Sequence, residues 1–229
     1  RTFAALAGSG SPRTLVIFGA VHTWGVGRPA LYGRGAWETP LGPLQVDHAL
    51  AEAILREAGS DVTENERAHS EEHSIEVQLP FIKYLWPDAT IVPLMVPPER
   101  QAPAVGEAVA RAVQAQGGRV FLLGSSDLTH YGPRYGFAPR GVGSAALAWA
   151  KDNDRRLLDD VVHLRAEEIV PHASADHSAC GGGAVAATVA AARALGATQG
   201  VLLEHTTSYE VQPLGSPDDF VGYAAVVFS

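Results

Sequence analysis

Two places in the chain combine a buried strand with polar residues directly after it. The apolar run 13–19 (RTLVIFG) predicts the first strand, and His22 follows it closely. The run 119–123 (RVFLL) predicts the second strand, and Asp127 and His130 come just after it. A loop aspartate near a histidine can orient the imidazole or join it on a metal ion. The alternative for each of the three side chains is an ordinary polar loop residue.

The single cysteine, Cys180, opens the segment CGGGAVAATVAAARAL, which predicts a helix with the thiol at its N-terminus. There the helix dipole and the free N–H groups favour the thiolate, which is the form that binds metals or acts as a nucleophile. The three glycines allow a close approach of the backbone to a neighbour. A buried structural cysteine is the alternative, because that is the usual state of a lone cysteine.

One further motif involves His69 and His73, whose segment HSEEH fits the HxxEH pattern of the inverzincin metalloproteases. The pattern is short and arises easily in a chain with nine histidines, so polar residues around a helix start are the favoured interpretation. The sequence contains no GxSxG, no P-loop and no GxGxxG after a strand. Serine hydrolases, P-loop NTPases and simple dinucleotide enzymes are therefore not favoured.

Composition narrows the classes of function. The 229 residues are 46% hydrophobic and 18% charged, which excludes a disordered chain and a coiled coil. The net charge is −8 and the chain lacks a lysine or arginine cluster, so we expect no nucleic-acid partner. No apolar run approaches the roughly 20 residues that span a bilayer, so we expect no membrane association. One cysteine excludes an internal disulfide framework, and we expect a cytoplasmic protein.

Predicted strands and helices alternate along the chain. The strands are predicted at 13–19, 90–96, 119–123, 201–207 and 220–228, and the helices at 45–58, 72–85, 101–116, 142–160 and 184–195. This order indicates a single α/β domain over residues 1–229, with a mostly parallel or mixed central sheet and helices on both faces. Pro93 favours an edge or a bulge for its strand, and Pro80 must kink or end its helix. In such folds ligands bind beyond the carboxyl ends of the strands, where His22, Asp127 and His130 are predicted to lie.

Several segments together resemble the Memo family, whose bacterial and archaeal members are called AmmeMemoRadiSam system protein B. They run nearly from end to end: FGAVHTWGV, ETPLGPLQVD, HSEEHSIEVQLPFIKYLWP, IVPLMV, GSSDLTHYGPRYG, DHSACGGGAV and DDFVGYAAVVF. The pair EHSIEVQLPF and SSDLTHYG, in this order, is far more specific than any single motif above.

The resemblance implies a fold similar to the LigB-type class III extradiol dioxygenases, which hold non-haem Fe(II) with two histidines and a carboxylate. Memo proteins have a cysteine in place of that carboxylate. By this resemblance His22 and Cys180 are metal ligands, Asp127 and His130 are pocket residues near the metal, and His73 is a polar wall residue. His130 could act there as a general acid or base.

The first metal histidine of the family belongs to a PHAG-type motif upstream of the segment that corresponds to RTFAALAG. These 229 residues contain no such motif. Because Arg1 stands in place of a methionine and precedes a helical pattern, we expect that the chain lacks its N-terminal segment. A site built from this chain alone would need Asp127 or His130 as an additional ligand.

We therefore expect a metal-binding protein that acts as a non-haem metal-dependent oxidoreductase on a small molecule. Fe(II) is the metal expected first, with Cu or Zn as alternatives, because thiolate and imidazole ligands suit all three. The alternative is a non-catalytic metal, redox or peptide-binding protein of a radical-SAM-associated modification pathway. The resemblance also implies a radical-SAM or AMMECR-type partner protein.

Overall fold

The computed structural model describes residues 1–23 and 25–229, and Trp24 of the predicted FGAVHTWGV segment lies outside them. The helices are α1 (Thr2–Gly8), α2 (His48–Ala58), α3 (Leu79–Leu85), α4 (Ala102–Gln116), α5 (Ser144–Val162), α6 (Ala166–Asp176), α7 (Gly182–Ala194) and α8 (Ser208–Val211). The strands are β1 (Thr14–Gly19), β2 (Ala30–Leu31), β3 (Ala36–Trp37), β4 (Leu44–Gln45), β5 (Thr63–Glu64), β6 (Thr90–Met95), β7 (Val120–Gly124), β8 (His130–Tyr131), β9 (Gly200–Thr207) and β10 (Phe220–Phe228).

The central sheet is mixed, with the strand order β5-β2-β6-β1-β7. Strand β1 pairs in parallel with β6 on one side and β7 on the other, whereas β2 runs antiparallel to β6. All six residues of β1 are buried because alternate side chains face opposite layers. Val16 and Phe18 belong to the core under α2, α4 and α7, while Leu15 and Ile17 belong to the core under α1 and α3. The predicted α/β class with helices on both faces is confirmed.

The last two strands form a second sheet with β8, in the order β8-β10-β9, and do not extend the parallel sheet. Strands β9 and β10 pair antiparallel from Gly222 with Thr207 to Phe228 with Gly200. The connection between them contains only the four-residue helix α8, which is too short for the crossover that parallel neighbours need.

Both prolines of the sequence prediction act differently from the expectation. Pro80 lies in the first turn of α3, so the predicted helix 72–85 begins late and is not kinked. Pro93 lies in β6, which is an interior strand and not an edge. The Pro93 carbonyl accepts the N–H of Tyr32, so the Pro93 nitrogen also faces the side of β2. Because β2 has only two residues, the missing N–H of proline costs few hydrogen bonds between the strands.

Besides the short elements β5, β8 and α8, two segments contain more secondary structure than the sequence indicated. The predicted loop 20–44 contains β2 and β3 and ends at β4, and β3 and β4 pair as a small hairpin. Helix α6 was not predicted, and it contains Pro171 in its interior. Among the described residues, no helix combines the length and the apolar character needed to cross a membrane.

Candidate metal centre

The parallel pairing of β1 and β7 brings His22 and Asp127 to one edge of the sheet. Phe18 is the register partner of Gly124, and the N–H of Ser125 continues the pairing by donating to the Phe18 carbonyl over 2.9 Å. His22 and Asp127 leave the sheet a few residues beyond these partners, at the carboxyl ends of neighbouring strands. This is the position at which open α/β sheets bind ligands.

Cys180 reaches the same edge from the start of α7. Its N–H donates to the Asp127 carbonyl over 3.3 Å, and its Sγ lies 3.9 Å from the Ser126 hydroxyl. The glycines that follow allow this contact. A Cβ on Gly181 would lie 2.9 Å from the Ser126 side chain, and one on Gly183 would lie 2.1 Å from the Pro97 carbonyl oxygen. The close approach predicted from the three glycines is therefore to strand-end loops of the protein itself.

Asp127, His130 and Cys180 together form a compact group of candidate metal ligands. One ligand atom from each of the three side chains lies within 4.8 Å of the others. His130 Nε2 lies 3.4 Å from Asp127 Oδ2. It is buried, and among the described residues it makes no hydrogen bond of ordinary geometry. An orphaned imidazole nitrogen beside a sulfur and a carboxylate is the arrangement that a metal ion would complete.

The charges of this group favour the metal-binding protonation state of the thiol. Burial raises the pKa of the Cys180 thiol, but its contacts with His130 and His22 outweigh burial and lower the pKa to about 6. Attraction to Asp127 and then to Cys180 raises the pKa of His130 to about 9 against the effect of burial. Contact with Cys180, opposed by burial and assisted by Glu72, raises the pKa of His22 to about 9. A cation is thus favoured around the sulfur, in the form of protons or of a metal.

Glu72 fixes the orientation of His22. Its side chain is only 1% exposed, and it accepts the His22 N–H over 2.7 Å while its Oε1 lies 3.0 Å from His22 Nδ1. Burial opposes its ionisation, but hydrogen bonds from Ser74 and His22 lower the pKa of Glu72 to about 2. With Nδ1 engaged, the ring nitrogen of His22 left for a ligand is Nε2. Our sequence interpretation placed Glu72 only near a helix start and missed this role, although its position beside His73 in EHSIE was the available signal.

His73 lies at the outer rim of the site. Its side chain is 71% exposed, and its ring centroid is 5.0 Å from that of His22. Ligand atoms of His22, Glu72 and His73 also fall within 4.8 Å of one another. The predicted wall residue is therefore beside His22.

The HxxEH interpretation of HSEEH does not fit the structure. His69 ends a 3₁₀ helix, Glu66–His69, and its buried Nε2 lies 3.0 Å from the Ala30 carbonyl oxygen. His73 follows a turn and is exposed, so the two histidines do not share the face of one α-helix. A zincin-like pair is thus absent from this segment.

His177 is a second residue that the sequence interpretation missed. It caps the C-terminus of α6 in the left-handed conformation, with φ 50° and ψ 40°. With His130 and Cys180 it lines a cavity of about 350 Å³, whose other walls are Pro98, Leu128, Ala173, Ser174 and Ala179. Its place in DHSAC, close to the cysteine, was the signal that could have indicated it.

The comparisons with known proteins agree with the motifs quoted above. A model of the family described as Memo-like protein matches residues 1–227. A MEMO1 family protein of Pyrococcus abyssi is 40% identical over 239 aligned residues, which cover 99% of this chain and 80% of the relative. One from Thermococcus onnurineus is 38% identical, covering 100% and 80%, and one from Methanopyrus kandleri is 36% identical, covering 99% and 76%. This chain belongs to the Memo family.

Proposed function

We propose that this protein binds a metal ion between His22 and Cys180, with Asp127 and His130 beside it, and uses it as a non-haem metal-dependent oxidoreductase. The observation that carries the proposal is the group of sulfur, imidazole and carboxylate donors formed by Cys180, His130 and Asp127, which come from the start of α7 and from the segment after β7. Fe(II) is the metal proposed first, and Cu or Zn suits the same donors. The orphaned His130 Nε2 supports a ligand at this point.

The metal would supply a redox centre or Lewis acid for a bound substrate. The residues of the chain would hold and tune it. Glu72 keeps His22 Nδ1 occupied, so that Nε2 faces the site with a fixed orientation. Cys180 contributes a thiolate at neutral pH because its pKa is about 6. Without a metal the pKa of His130 is about 9, so its imidazole holds a proton beside Cys180 and Asp127. With the metal held on the sulfur, His130 would exchange that proton with a bound substrate.

The cavity beside Cys180 is where we propose that a small-molecule substrate binds. Its volume of about 350 Å³ suits a compact molecule. Its lining combines apolar side chains with the imidazoles of two histidines, His130 and His177; the apolar residues are Pro98, Leu128, Ala173 and Ala179. The substrate we propose is therefore partly apolar, with a polar group that faces His130.

The metal assignment is tested by elemental analysis of protein purified without oxygen. We expect about one metal ion per chain, and a loss of most of it in Cys180→Ser and in His22→Ala. His163→Ala is the matched control, because His163 is an exposed histidine at the end of α5 whose imidazole contacts Asp159. If both site variants keep the metal content of the control, the ligand assignment is wrong.

Turnover is tested separately, by oxygen consumption with catechol-type substrates. We expect the iron-loaded protein to consume oxygen and the Cys180→Ser variant to consume none above background. A flat trace from protein that retains its metal would favour the second function, a metal, redox or peptide-binding protein without turnover.

We also propose a cytoplasmic location, in keeping with the single cysteine, and a radical-SAM or AMMECR-type partner, which the family resemblance implies. Co-elution with such a protein in size-exclusion chromatography tests the partner. Independent elution at micromolar concentrations of both proteins would contradict it.

A further inference from the structure

Asp154 is a buried carboxylate that the proposed chemistry does not use. It lies in the middle of α5 and is 0% exposed. Its Oδ1 accepts the N–H of Thr129 over 3.0 Å, and its Oδ2 lies 2.9 Å from His205 Nε2 on β9. Thr129 is the residue immediately before His130, and it is also 0% exposed. The carboxylate therefore bonds the backbone of the loop that carries the candidate ligands.

Three further hydrogen bonds hold Leu128 and Thr129, two through the backbone and one through the Thr129 hydroxyl. Asn153 Nδ2 donates to the Thr129 hydroxyl over 3.0 Å. The Gly222 carbonyl accepts the Leu128 N–H, and the Gly222 N–H donates to the Thr129 carbonyl, each over 2.9 Å. Leu128 and Thr129 are thus fixed from α5 and β10 at once, between the two polar side chains of the site.

The packing around Asp154 leaves its carboxylate little freedom. A Cβ on Gly222 would lie 2.2 Å from Asp154 Oδ2, so β10 passes directly against the carboxylate. Burying a carboxylate is unfavourable unless partners compensate for the lost water, and an apolar residue at this place would avoid that cost. The presence of a carboxylate at position 154 is therefore better explained by its orienting the Thr129 backbone than by a contribution to stability.

Asp160 provides an internal comparison on the same helix. It is also buried, and it is paired with a histidine, His172, and with Arg165. Its described contacts are all at the α5–α6 connection, and none of them reaches the loop of Asp127 and His130. Both aspartates are buried, and each has one oxygen beside a histidine. The other oxygen accepts the Thr129 N–H in Asp154, but an N–H of the Arg165 guanidinium in Asp160.

We propose that Asp154, held by His205, is a positioning residue that directs Asp127 and His130 towards Cys180 through the Thr129 backbone. Because one peptide bond joins Thr129 to His130, a rotation of the Thr129 N–H away from the carboxylate would move the His130 side chain as well. The consequence for metal affinity rests on the proposed function, whereas the consequence for the orientation of His130 does not.

The test compares Asp154→Ala, Asp154→Asn and Asp160→Ala by NMR of the histidine imidazoles in metal-free protein. The His130 and His22 signals are assigned from the spectra of His130→Gln and His22→Gln. We expect Asp154→Ala to shift the His130 signal, and Asp160→Ala to leave it unchanged. Asparagine should restore it, because its oxygen can accept the Thr129 N–H while its amide donates to His205 in the tautomer protonated on Nδ1.

Metal titration of the same variants provides the second readout. If the wild-type protein binds the metal, Asp154→Ala should weaken the affinity about 10- to 100-fold, the range for residues that orient ligands, with Asp160→Ala near wild type. Failure of the wild-type protein to bind metal would refute the proposed function, while the His130 signal would still decide this inference.

The inference is overturned if the His130 signal in folded Asp154→Ala matches that of Asp160→Ala, or if asparagine fails to restore it. Should Asp154→Ala not fold, Gly222→Ala replaces it, because the added Cβ displaces the carboxylate by contact. A wild-type His130 signal in folded Gly222→Ala would count equally against the proposal.

Discussion

At the scale of single residues, the site depends on side chains that are more buried than the candidate ligands themselves. Glu72 is the clearest case. Its two oxygens accept N–H groups of His22, His73 and Ser74 at 2.7–2.9 Å, in addition to the His22 ring. A carboxylate with this many donors stays ionised although it is buried. The orientation of His22 is therefore fixed by the protein itself.

We expect Glu72→Gln to lower the free energy of unfolding by about 1–3 kcal/mol, because the amide NH₂ would face a buried N–H donor and leave it unpaired. Glu71→Gln is the control, since Glu71 is the exposed neighbour in the sequence and its change should stay within about 0.5 kcal/mol. Urea unfolding monitored by circular dichroism measures both. Equal stabilities of the two variants would contradict the role given to Glu72.

His69 predicts a pH dependence of stability. Burial lowers its pKa from 6.5 to about 4, while the bond to the Ala30 carbonyl acts weakly in the other direction. The unfolded chain therefore binds this proton more readily than the folded one. Its contribution to stability is fully present above pH 6.5, and it is lost as the pH falls from 6.5 towards 4, by about 3 kcal/mol in total.

The measurement is the free energy of unfolding between pH 4 and pH 7, compared with that of His69→Gln. Glutamine can still donate to Ala30 but does not titrate. We expect the stability of the variant to decline less steeply than that of the wild type across this range. Parallel curves would show that His69 is not the residue responsible.

At the scale of elements, the N-terminus of α7 sets the position of the cysteine. Gly183 lies in the first turn of α7. A Cβ at this position would lie 2.1 Å from the Pro97 carbonyl oxygen and 2.5 Å from the Val96 carbonyl oxygen. Both are backbone atoms of the two residues directly after β6, where the Val96 N–H still bonds the Gly19 carbonyl at the end of β1, so a shift would disturb the sheet. The helix can approach the strand ends only because this position has no side chain.

We expect Gly183→Ala to destabilise the protein by about 1–3 kcal/mol, although alanine is the better helix former by about 1 kcal/mol. Gly8→Ala, at the end of α1, is the control, because nothing lies within 4 Å of its added Cβ. That change should be neutral or slightly stabilising. Thermal unfolding of both variants measures the difference, and a stabilised Gly183→Ala would refute the close packing.

At the scale of the whole molecule, α5 packs into the hydrophobic cores of both sheets. Leu157, Leu158 and Val161 belong to the main core under the parallel sheet. Ala146 and Ala150 of the same helix belong to a smaller core with Tyr131 and Phe220. Since one continuous helix contributes to both cores, and Asp154 lies between these contacts, the two sheets should lose their structure together.

We expect the unfolding transitions of the two sheets to coincide, as a single domain over residues 1–229 requires. Trp86 packs on Phe121 beside the parallel sheet, and Trp149 packs on Tyr131 beside the antiparallel one. Variants in which the other three of the four tryptophans are replaced, so that only Trp86 or only Trp149 remains, report each sheet separately by fluorescence in urea. Different midpoints would mean that the chain divides into two units.

Local patterns were informative wherever a strand was buried on both faces or a helix had a clear end. The runs 13–19 and 119–123 became β1 and β7, and Asp47 caps α2 by accepting the N–H of Leu50. The sequence was less informative where contacts from distant residues decided the outcome. Helix α6 contains Pro171 and was missed, and β9 and β10 were predicted as strands without their antiparallel pairing.

The sequence by itself determined the α/β class, the family, the strand ends at which His22, Asp127 and His130 lie, and the helix start at Cys180. These features follow from periodicity and from local motifs. Only the tertiary structure decided which buried carboxylates bond these residues or the backbone beside them. Glu72 reaches His22 across 50 positions of the chain, and Asp154 reaches Thr129 from another helix. Such contacts have no local pattern, since the cost of burying a carboxylate is compensated by partners that only the folded chain brings together.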